Sequence, residues 1–250
     1  MPPASYYCSI SACMTGFADI HCHIIPYVDD GAVDKDTSDE LLDRQIRQGA
    51  GVICCTPHLR CGMFETPDEK VIEQFSRLKK RAAGRGVNAE LFLSREYHAD
   101  RLLAKHLKEG SILPLGPGHL LLEMSSVSSE SDMVEYIKLV QAYGLIPLMA
   151  HPERYRAIRQ QEEIADRLVS LGAKLQINIS SLLGREGIGQ KRLCRRLLKR
   201  GTVYAVASDA HDLENRPPEL DRAYSWLARK LGEKQAEMLM ITNPLKILKE

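Results

Sequence analysis

The chain has 250 residues, a formal net charge of +1 and a hydrophobic content of 44%. This length allows one large hydrophobic core or two small ones. The nearly neutral charge gives no general attraction to nucleic acid or anionic lipid, and no apolar run approaches membrane-spanning length. We therefore expect no nucleic acid partner and no membrane insertion. Seven cysteines without a paired C-x-x-C framework, and an N-terminus that lacks the pattern of a signal peptide, predict reduced thiols in the cytoplasm.

Short apolar runs alternate along the chain with amphipathic segments. Runs of this length, rich in Val, Ile and Leu, are typical of parallel strands that are covered on both faces. The runs that we predict as strands are residues 17–20, 51–55, 90–93, 120–122, 145–149, 175–179 and 203–207.

Helix signals lie between these runs. Capping boxes at residues 37–40 and 66–69 predict two helix starts, the second with Pro67 as its first helical residue. Gly49 predicts the end of the first helix. Further helices are predicted at residues 129–144, 161–172, 191–201 and 220–231, and a short terminal helix is predicted to begin at Asn243-Pro244.

Seven βα repeats without a break in composition predict a single α/β domain over residues 17–250. Two architectures remain open at this point, a closed barrel and an open doubly wound sheet. No G-x-G-x-x-G turn follows the first strand, which argues against the dinucleotide-binding version of the open sheet.

Ionisable residues end almost every predicted strand. In a parallel barrel the C-terminal ends of the strands gather at one rim, where such enzymes place their active sites. Ligand-type side chains at six of seven strand ends are hard to attribute to packing, so we predict a metal site at this rim. These side chains are His21, His23, His58, Glu96, Glu123, His151, Asp209 and His211.

The geometry of a β-strand explains why His21 and His23, in the H-x-H spacing, can bind the same metal ion. Residues i and i+2 of a strand point to the same face, so both imidazoles can reach one ion while Cys22 points away. Asp209 and His211 repeat this spacing at the end of the last strand. Closure of a barrel would place these two pairs side by side.

Asp29 and Asp30 precede Gly31 shortly after the first strand. An Asp-Gly turn accounts for Asp29, whereas Asp30 is predicted to be a metal ligand. Histidines that do not end an apolar run with a partner are predicted to be surface or capping residues, and these are His98, His106 and His119.

The predicted ligand set combines His with carboxylates and has no evident Cys. This mixture suits manganese, iron or zinc in a hydrolytic site better than it suits structural zinc. Two or three such ions would activate a water at neutral pH and neutralise the oxygens of a phosphate ester. Arg154 and Arg216 lie on loops after the fifth and seventh strands and are predicted to grip phosphate, with a solvated loop position as the alternative for each.

Cys54 and Arg60 have the C-x5-R spacing of cysteine-dependent tyrosine phosphatases. In those enzymes the intervening loop is rich in Gly, so that backbone N–H groups can bind phosphate. Here the loop has no Gly, and Pro57 removes a donor. Cys54 also lies within an apolar run, where a buried structural thiol is expected.

Five segments together resemble a known family: DIHCHIIPYVDDGA, TPHLRCGMFETPDEK, AHPERY, INISSLLG and ASDAHDLENRPP. They are similar to the bacterial manganese-dependent protein-tyrosine phosphatases of capsule and exopolysaccharide operons, which belong to the polymerase-and-histidinol-phosphatase (PHP) superfamily. The resemblance runs from about Asp19 to the C-terminus. It implies an α/β fold, a distorted (β/α)7 TIM-like barrel (PHP fold), with the metal site at the C-terminal rim of the strands.

The resemblance also implies a site for up to three Mn²⁺ ions, with Fe, Zn, Co or Mg as alternative metals. The implied ligands are His21, His23, Glu96 and Asp209 for the first ion, Glu123 and His151 with Glu96 bridging for the second, and Asp30, His58 and His211 for the third. Arg154 and Arg216 match family arginines that contact the substrate phosphate, so they are the expected catalytic and substrate-binding residues.

The substrate implied by the resemblance is phosphotyrosine on a bacterial tyrosine kinase, typically in its Tyr-rich tail. Another phosphoesterase of the same superfamily, such as a histidinol-phosphate phosphatase, and a non-catalytic binding module stabilised by metal are the alternatives. Ser94 departs from the Gly that is usual in the family. Residues 1–16 have no counterpart, so we expect a disordered N-terminal extension or a true start at Met14.

Overall fold

The structure is a computed structural model, and it describes residues 16–250. The predicted N-terminal extension over residues 1–16 lies outside the described residues, except for Gly16. Within the described range, no helix combines the length and the apolar character needed to cross a membrane.

Strands and helices alternate along residues 16–250. The strands are β1 Phe17–Cys22, β2 Ala50–Cys55, β3 His58–Leu59, β4 Glu90–Leu93, β5 Glu96–His98, β6 His119–Glu123, β7 Ile146–Ala150, β8 Lys174–Asn178 and β9 Ala205–Ala207. The α-helices are α1 Lys35–Arg47, α2 Asp68–Gly84, α3 Arg101–Glu109, α4 Glu130–Ala142, α5 Arg156–Gln160, α6 Glu163–Ser170, α7 Ile179–Leu183, α8 Ile188–Arg200, α9 Leu220–Leu231, α10 Glu233–Glu237 and α11 Asn243–Lys249. A 3₁₀ turn covers Pro152–Arg154, and a π-helix covers Met238–Thr242.

The named strands pair in parallel, in two sheets with the orders β1-β2-β4 and β3-β5-β6-β7-β8-β9. All seven predicted runs contain a strand, and β3 and β5 are two short additional strands. Pro57 separates β2 from β3 because proline has no N–H for the ladder. Hydrogen bonds link the two sheets across the breaks, from Ser94 N to Cys55 O at 2.9 Å and from Glu96 N to Pro57 O at 3.2 Å.

The first strand also pairs with the segment that follows the last strand. Cys22 forms an isolated parallel bridge with Ala210. The Asp209 N–H donates to His21 O at 2.8 Å, and the His23 N–H donates to Ala210 O at 2.8 Å. The H-x-H and D-x-H segments are therefore neighbours, as predicted.

Buried side chains form two separate hydrophobic clusters. The larger cluster packs strand side chains against the helices. The smaller cluster combines strand side chains such as Ile20 and Cys54 with Leu115 and with Ile247 and Leu248 of α11. The C-terminal helix α11 therefore covers the apolar interior that the strands share.

Two predicted capping boxes are wrong. Helix α1 begins at Lys35, because Asp34 accepts the Thr37 N–H at 2.8 Å and serves as the N-cap three residues earlier than the box requires. Helix α2 begins at Asp68 with Pro67 as its N-cap, while Thr66 Oγ1 donates to Val28 O at 2.7 Å. The Thr66 hydroxyl is therefore bonded to another loop and does not cap the helix, contrary to the prediction from the local sequence pattern.

Other helix predictions are closer to the structure. Helix α4 begins after its N-cap Ser129, within the predicted range of 129–144, and α9 covers residues 220–231 as predicted. Helix α11 begins at Asn243. Helix α8 begins at Ile188, three residues before the predicted start. The short helices α3, α5, α7 and α10 have no counterpart in the sequence prediction.

A substitution at Gly116, which packs against α11, tests how far the stability of the fold depends on that helix. Its φ is +64°, and a Cβ at this position would lie 2.0 Å from Ile247 O. We expect Gly116→Ala to displace α11 and to lower the free energy of unfolding by about 3 kcal/mol or more, since it adds lost burial to backbone strain. Urea unfolding followed by circular dichroism measures this change.

Gly110→Ala is the matched control. Gly110 has a similar φ of +66°, but a Cβ there would meet no atom within 4 Å. Strain alone then costs about 1–2 kcal/mol. Equal losses of stability in the two variants would contradict the proposed role of α11.

Candidate metal centre

The structure brings the nine predicted ligands close together. Eight of them form three groups of donor atoms, and the ninth, His151, has its Nε2 2.9 Å from Glu96 Oε1. The donor atoms within each of these three groups all lie within 4.8 Å of one another. The groups consist of His21, His23, Glu96 and Asp209; of His58, Glu96 and Glu123; and of His23, Asp30, His58 and His211.

The first group surrounds the carboxylate of Glu96. Glu96 Oε2 lies 3.2 Å from His21 Nε2 and 3.3 Å from His23 Nε2. Asp209 Oδ1 lies 3.3 and 3.5 Å from the same two nitrogens. The two Nε2 atoms are 3.2 Å apart, so four donor atoms point to one small volume.

The second group shares Glu96 with the first. Glu96 Oε1 lies 2.9 Å from His151 Nε2, which is 3.8 Å from Glu123 Oε1. His58 Nδ1 lies 2.9 Å from Glu96 Oε2 and 3.9 Å from Glu123 Oε2. His58 therefore belongs to this group as well as to the third, whereas the family resemblance places it in the third alone.

The third group is the most open. Asp30 Oδ1 lies 3.6 Å from both His58 Nε2 and His211 Nε2, and the Asp30 side chain is 49% exposed. The loop reaches the cluster because Gly31 passes close to His23, where a Cβ would lie 2.0 Å from His23 O. The Asp-Gly pair thus brings Asp30 toward the two imidazoles.

Buried donor atoms of the cluster lack hydrogen-bond partners. Within residues 16–250 these atoms include Glu96 Oε2, Asp209 Oδ1, Glu123 Oε2, His58 Nδ1 and His211 Nε2. Buried polar atoms are costly unless they are bonded, and native proteins rarely leave several together. Unbonded His and carboxylate donors that converge in this way fit metal ions of the Mn, Fe or Zn type.

The electrostatics of the cluster favour added positive charge. Burial lowers the pKa of His21, but Glu96 and Asp209 outweigh it and raise that pKa to about 9. Burial raises the pKa of Glu96, yet the imidazoles of His21 and His58 outweigh it and hold the pKa well below its usual range. The ionised carboxylates thus attract either protons onto the imidazoles or metal cations.

Neighbouring groups fix the orientation of the imidazoles. His21 Nδ1 bonds to Gln176 Oε1 at 2.7 Å, and His23 Nδ1 bonds to Asp29 Oδ2 at 2.7 Å. His211 Nδ1 bonds to Asp209 O at 2.9 Å. These acceptors leave the Nε2 atoms free to face the cluster, which is the usual support for metal-binding histidines.

Asp29 has a larger role than the sequence indicated. Its Oδ1 accepts the Gly31 N–H at 3.0 Å, which confirms the predicted turn. Its Oδ2 also accepts the His58 N–H at 3.0 Å, in addition to orienting His23. Asp29 and Gln176 are functional candidates that the sequence prediction missed. Gln176 could have been found, because it interrupts an apolar strand.

The backbone is unusual where it delivers cluster residues. His151 and Asp209 have positive φ values of 35° and 51°, a conformation that non-glycine residues rarely adopt and that often marks functional sites. The register of β1 against β2 shifts between Asp19 and Cys22. Such irregularities redirect side chains, and here they lie at the strand end that carries His21 and His23.

Both predicted arginines lie at the cluster. Arg154 Nη1 lies 3.1 Å from Asp209 Oδ2, and Arg216 Nη2 donates to the same oxygen at 2.5 Å. Arg154 also donates from Nε and Nη2 to the two oxygens of Glu186, at 2.8 and 2.7 Å. Glu186, which no sequence pattern identified, therefore fixes the plane of the Arg154 guanidinium.

The remaining histidines lie outside the three donor groups. His106 Nδ1 is within 3.0 Å of Ser111 Oγ near the end of α3, and His98 Nδ1 is 3.4 Å from Asp100 Oδ2. His119 differs from the prediction because it is buried rather than on the surface. Its Nε2 lies 2.8 Å from Lys174 Nζ, and burial together with this ammonium lowers the pKa of His119 to about 4.

The cysteine alternative does not fit the structure. Cys54 is fully buried in the smaller hydrophobic cluster and belongs to none of the three donor groups. Burial raises the pKa of its thiol well above the usual range, with a further increase from the neighbouring Cys55. A thiol in this state is a poor nucleophile.

The chain is similar to known phosphatases over most of its length. It is 34% identical over 236 residues to the tyrosine-protein phosphatase CpsB of Streptococcus pneumoniae, covering 92% of this chain and 97% of that protein. It is 32% identical over 224 residues to the tyrosine-protein phosphatase YwqE of Bacillus subtilis strain 168, covering 88% and 87% of the two chains.

Solved structures agree with this similarity. A structure from work on YwqE of Bacillus subtilis and CpsB of Streptococcus pneumoniae, described as unique metal-dependent tyrosine phosphatases, superimposes with a TM-score of 0.86 at 31% identity. The match covers 92% of this chain and 94% of that chain. The phosphotriesterase homology protein of Escherichia coli shares the fold at a TM-score of 0.59 and 11% identity, covering 95% and 100% of the two chains.

Residues 17–249 match the family described as "Capsular polysaccharide synthesis, CpsB/CapC". This match spans nearly the whole of the described chain, and the relative CpsB of Streptococcus pneumoniae carries the name of the family. The chain is therefore a member of the CpsB/CapC family.

Proposed function

We propose that this chain is a metal-dependent protein-tyrosine phosphatase that acts on a bacterial tyrosine kinase of capsular or exopolysaccharide biosynthesis. The observation that carries the proposal is the convergence of unbonded His and carboxylate donors beside two arginines. The names of the relatives and the metal dependence of the similar structures support the same activity. The Tyr-rich tail of the kinase is the proposed substrate segment, and the cytoplasm is the proposed location.

We extend the proposal to the architecture that holds the site. The strands would form a distorted seven-stranded barrel that closes between β1 and the segment after β9, with residues 17–250 as one catalytic domain. The bridge from Cys22 to Ala210 supports this closure. The metal site would then lie at the C-terminal rim, since each proposed ligand ends or follows a strand.

The assignment of residues to the ions follows the family resemblance, and the donor groups support most of it. We propose Mn²⁺ as the metal, with His21, His23, Glu96 and Asp209 for the first ion, Glu123, His151 and the bridging Glu96 for the second, and Asp30, His58 and His211 for the third. When bound, ions in such sites supply an activated water and neutralise phosphate oxygens. Fe, Zn, Co or Mg are alternative metals for the same donors.

The two arginines would bind the phosphate of the substrate. Arg154 and Arg216 already converge on Asp209, so their remaining N–H groups are near the donor cluster. Glu186 holds the Nε edge of Arg154, which directs Nη1 toward Asp209 and the cluster. Guanidinium groups fixed in this way can stabilise the charge that develops on the non-bridging oxygens.

The leaving group of phosphotyrosine suits a site of this kind. A phenol has a pKa of about 10, so it departs as an anion more easily than an aliphatic alcohol does. The chain's part in the reaction is then mainly to bind and orient the phosphate and to exclude bulk water. Glu96, His21 and His23 are fully buried, which gives a dry interior to the cluster.

Removal of metal should abolish the activity. We expect hydrolysis of a phosphotyrosine peptide to be lost in EDTA and restored by Mn²⁺, because the donors alone cannot activate water. Iodoacetamide should not abolish the activity, since Cys54, the candidate nucleophile, is buried. Phosphate release measured with and without chelator tests this. Full activity in EDTA that iodoacetamide abolishes would contradict the proposal, and faster turnover of histidinol phosphate would favour the alternative phosphoesterase.

Arg154→Ala should lower turnover without loss of metal. Removal of one charge-stabilising donor typically lowers kcat about 10²–10³-fold. Steady-state kinetics and metal analysis of the same sample measure the two effects. Loss of metal in this variant would show that Arg154 supports the ligands instead.

Arg167→Ala is the matched control for that experiment. Arg167 forms a similar two-point ion pair with Glu130, but both side chains are on the exposed surface, away from the donor groups. Surface pairs contribute little to stability, so kinetics and metal content should stay at the parental values. A comparable loss of turnover in the control would indicate a general effect of removing arginine.

A further inference from the structure

Among residues 16–250, the five most exposed large apolar side chains follow the C-terminal ends of strands, as the proposed ligands do. They lie on, or at the end of, segments that connect a strand to the next helix, and we call them the apolar rim. The rim consists of Tyr27 (53% exposed), Val33 (73%), Met63 (59%), Val127 (73%) and Ile188 (68%). Isolated apolar side chains are common on protein surfaces. Five highly exposed ones at the same end of the strands suggest a binding surface.

Other exposed apolar side chains are less exposed and lie elsewhere. Among residues 16–250 they are Tyr143, Ile146, Val169, Leu171, Leu231 and Met238, at 36–47% exposure. Tyr143 and Leu171 follow helices α4 and α6 and precede strands β7 and β8. They are therefore at the opposite end of the strands from the donor groups.

The rim residues are close in sequence to residues of the site. Met63 is next to Phe64, whose ring stacks on His58 with a centroid distance of 5.1 Å and an interplanar angle of 12°. Ile188 is two residues after Glu186, which binds Arg154. Met63 and Ile188 are therefore each within two residues of a side chain that contacts a proposed site residue.

Hydrogen bonds tie these segments together. Thr66 Oγ1 donates to Val28 O at 2.7 Å and joins the loop of Met63 to the loop of Tyr27. The Arg156 N–H donates to Ser126 O at 2.8 Å and joins the loop of Val127 to the loop of Arg154. Two pairs of these loops are therefore each held together by a hydrogen bond.

Tyr27 is strained as well as exposed. Its φ of 67° is unfavourable for a residue with a Cβ, and its side chain is not buried in return. Strain that packing does not offset is found most often at functional positions. This is a second observation, independent of exposure, at the same edge of the site.

We propose that the apolar rim binds apolar side chains that flank the phosphotyrosine in a flexible protein segment. The inference rests on the phosphatase activity proposed above. A phosphate that reaches the buried cluster leaves the neighbouring residues of its chain at the surrounding surface, where the rim lies. Burial of these flanking side chains against the rim is favourable because it removes apolar area from water.

The test compares three substrates on the Mn²⁺-loaded enzyme. They are p-nitrophenyl phosphate, a phosphotyrosine peptide with Leu on both sides of the phosphotyrosine, and the same peptide with Ser at those positions. We expect the parental enzyme to prefer the Leu peptide over the Ser peptide by about tenfold in kcat/KM. In the double variant Met63→Ser, Val127→Ser, the ratio of kcat/KM for the Leu peptide to that for p-nitrophenyl phosphate should fall about tenfold, mainly through KM.

Tyr143→Ser, Leu171→Ser is the matched control, and it should keep the parental ratio. An unchanged ratio in the rim variant, or an equal fall in the control, overturns the inference. Two other results would also overturn the inference. One is a parental dimer, seen by sedimentation, that the rim variant no longer forms. The other is loss of binding to phospholipid vesicles in the rim variant while its substrate ratio stays constant. If the parental enzyme hydrolyses none of the three substrates, the proposed function itself fails, which is a different outcome.

Discussion

One buried carboxylate, that of Glu96, constrains the arrangement of the residues around it. Its Oε2 lies 2.9 Å from His58 Nδ1 and 3.2 Å from His21 Nε2, and its Oε1 lies 2.9 Å from His151 Nε2. A charge in a dry interior is costly unless opposite charge or hydrogen bonds compensate it. Imidazoles supply only part of that compensation, since Glu96 Oε2 makes no hydrogen bond within residues 16–250. The proposed metal ions would supply the rest.

This arrangement requires local backbone strain and close backbone contacts. Positive φ values at His151 and Asp209, and the close approach of Gly31 to His23, place side chains that regular strands would point elsewhere. Such features are stable only where the surrounding structure holds them. The hydrogen bonds of Asp29, to His23 Nδ1 and to the His58 N–H, connect two of the loops that carry these residues.

The alternation of apolar runs predicted the strands and their parallel pairing, because that pattern depends on local sequence. Ligand candidates were also predictable, since His and carboxylates at strand ends are conspicuous. The starts of the helices were harder to predict from the sequence, because a tertiary contact decides whether Thr66 caps a helix or binds Val28. Glu186 could not be predicted, because its role depends on the position of Arg154, which is distant in sequence. The burial of His119 likewise depends on Lys174, 55 residues away.

Anomalous diffraction above the manganese absorption edge, from crystals grown with Mn²⁺, tests the central claim most directly. We predict peaks in contact with Glu96, one of them shared with His21 and Asp209 and another with Glu123 and His151. A third peak is predicted near Asp30. An active enzyme whose crystals show no manganese peak within coordination distance of Glu96 would contradict the account.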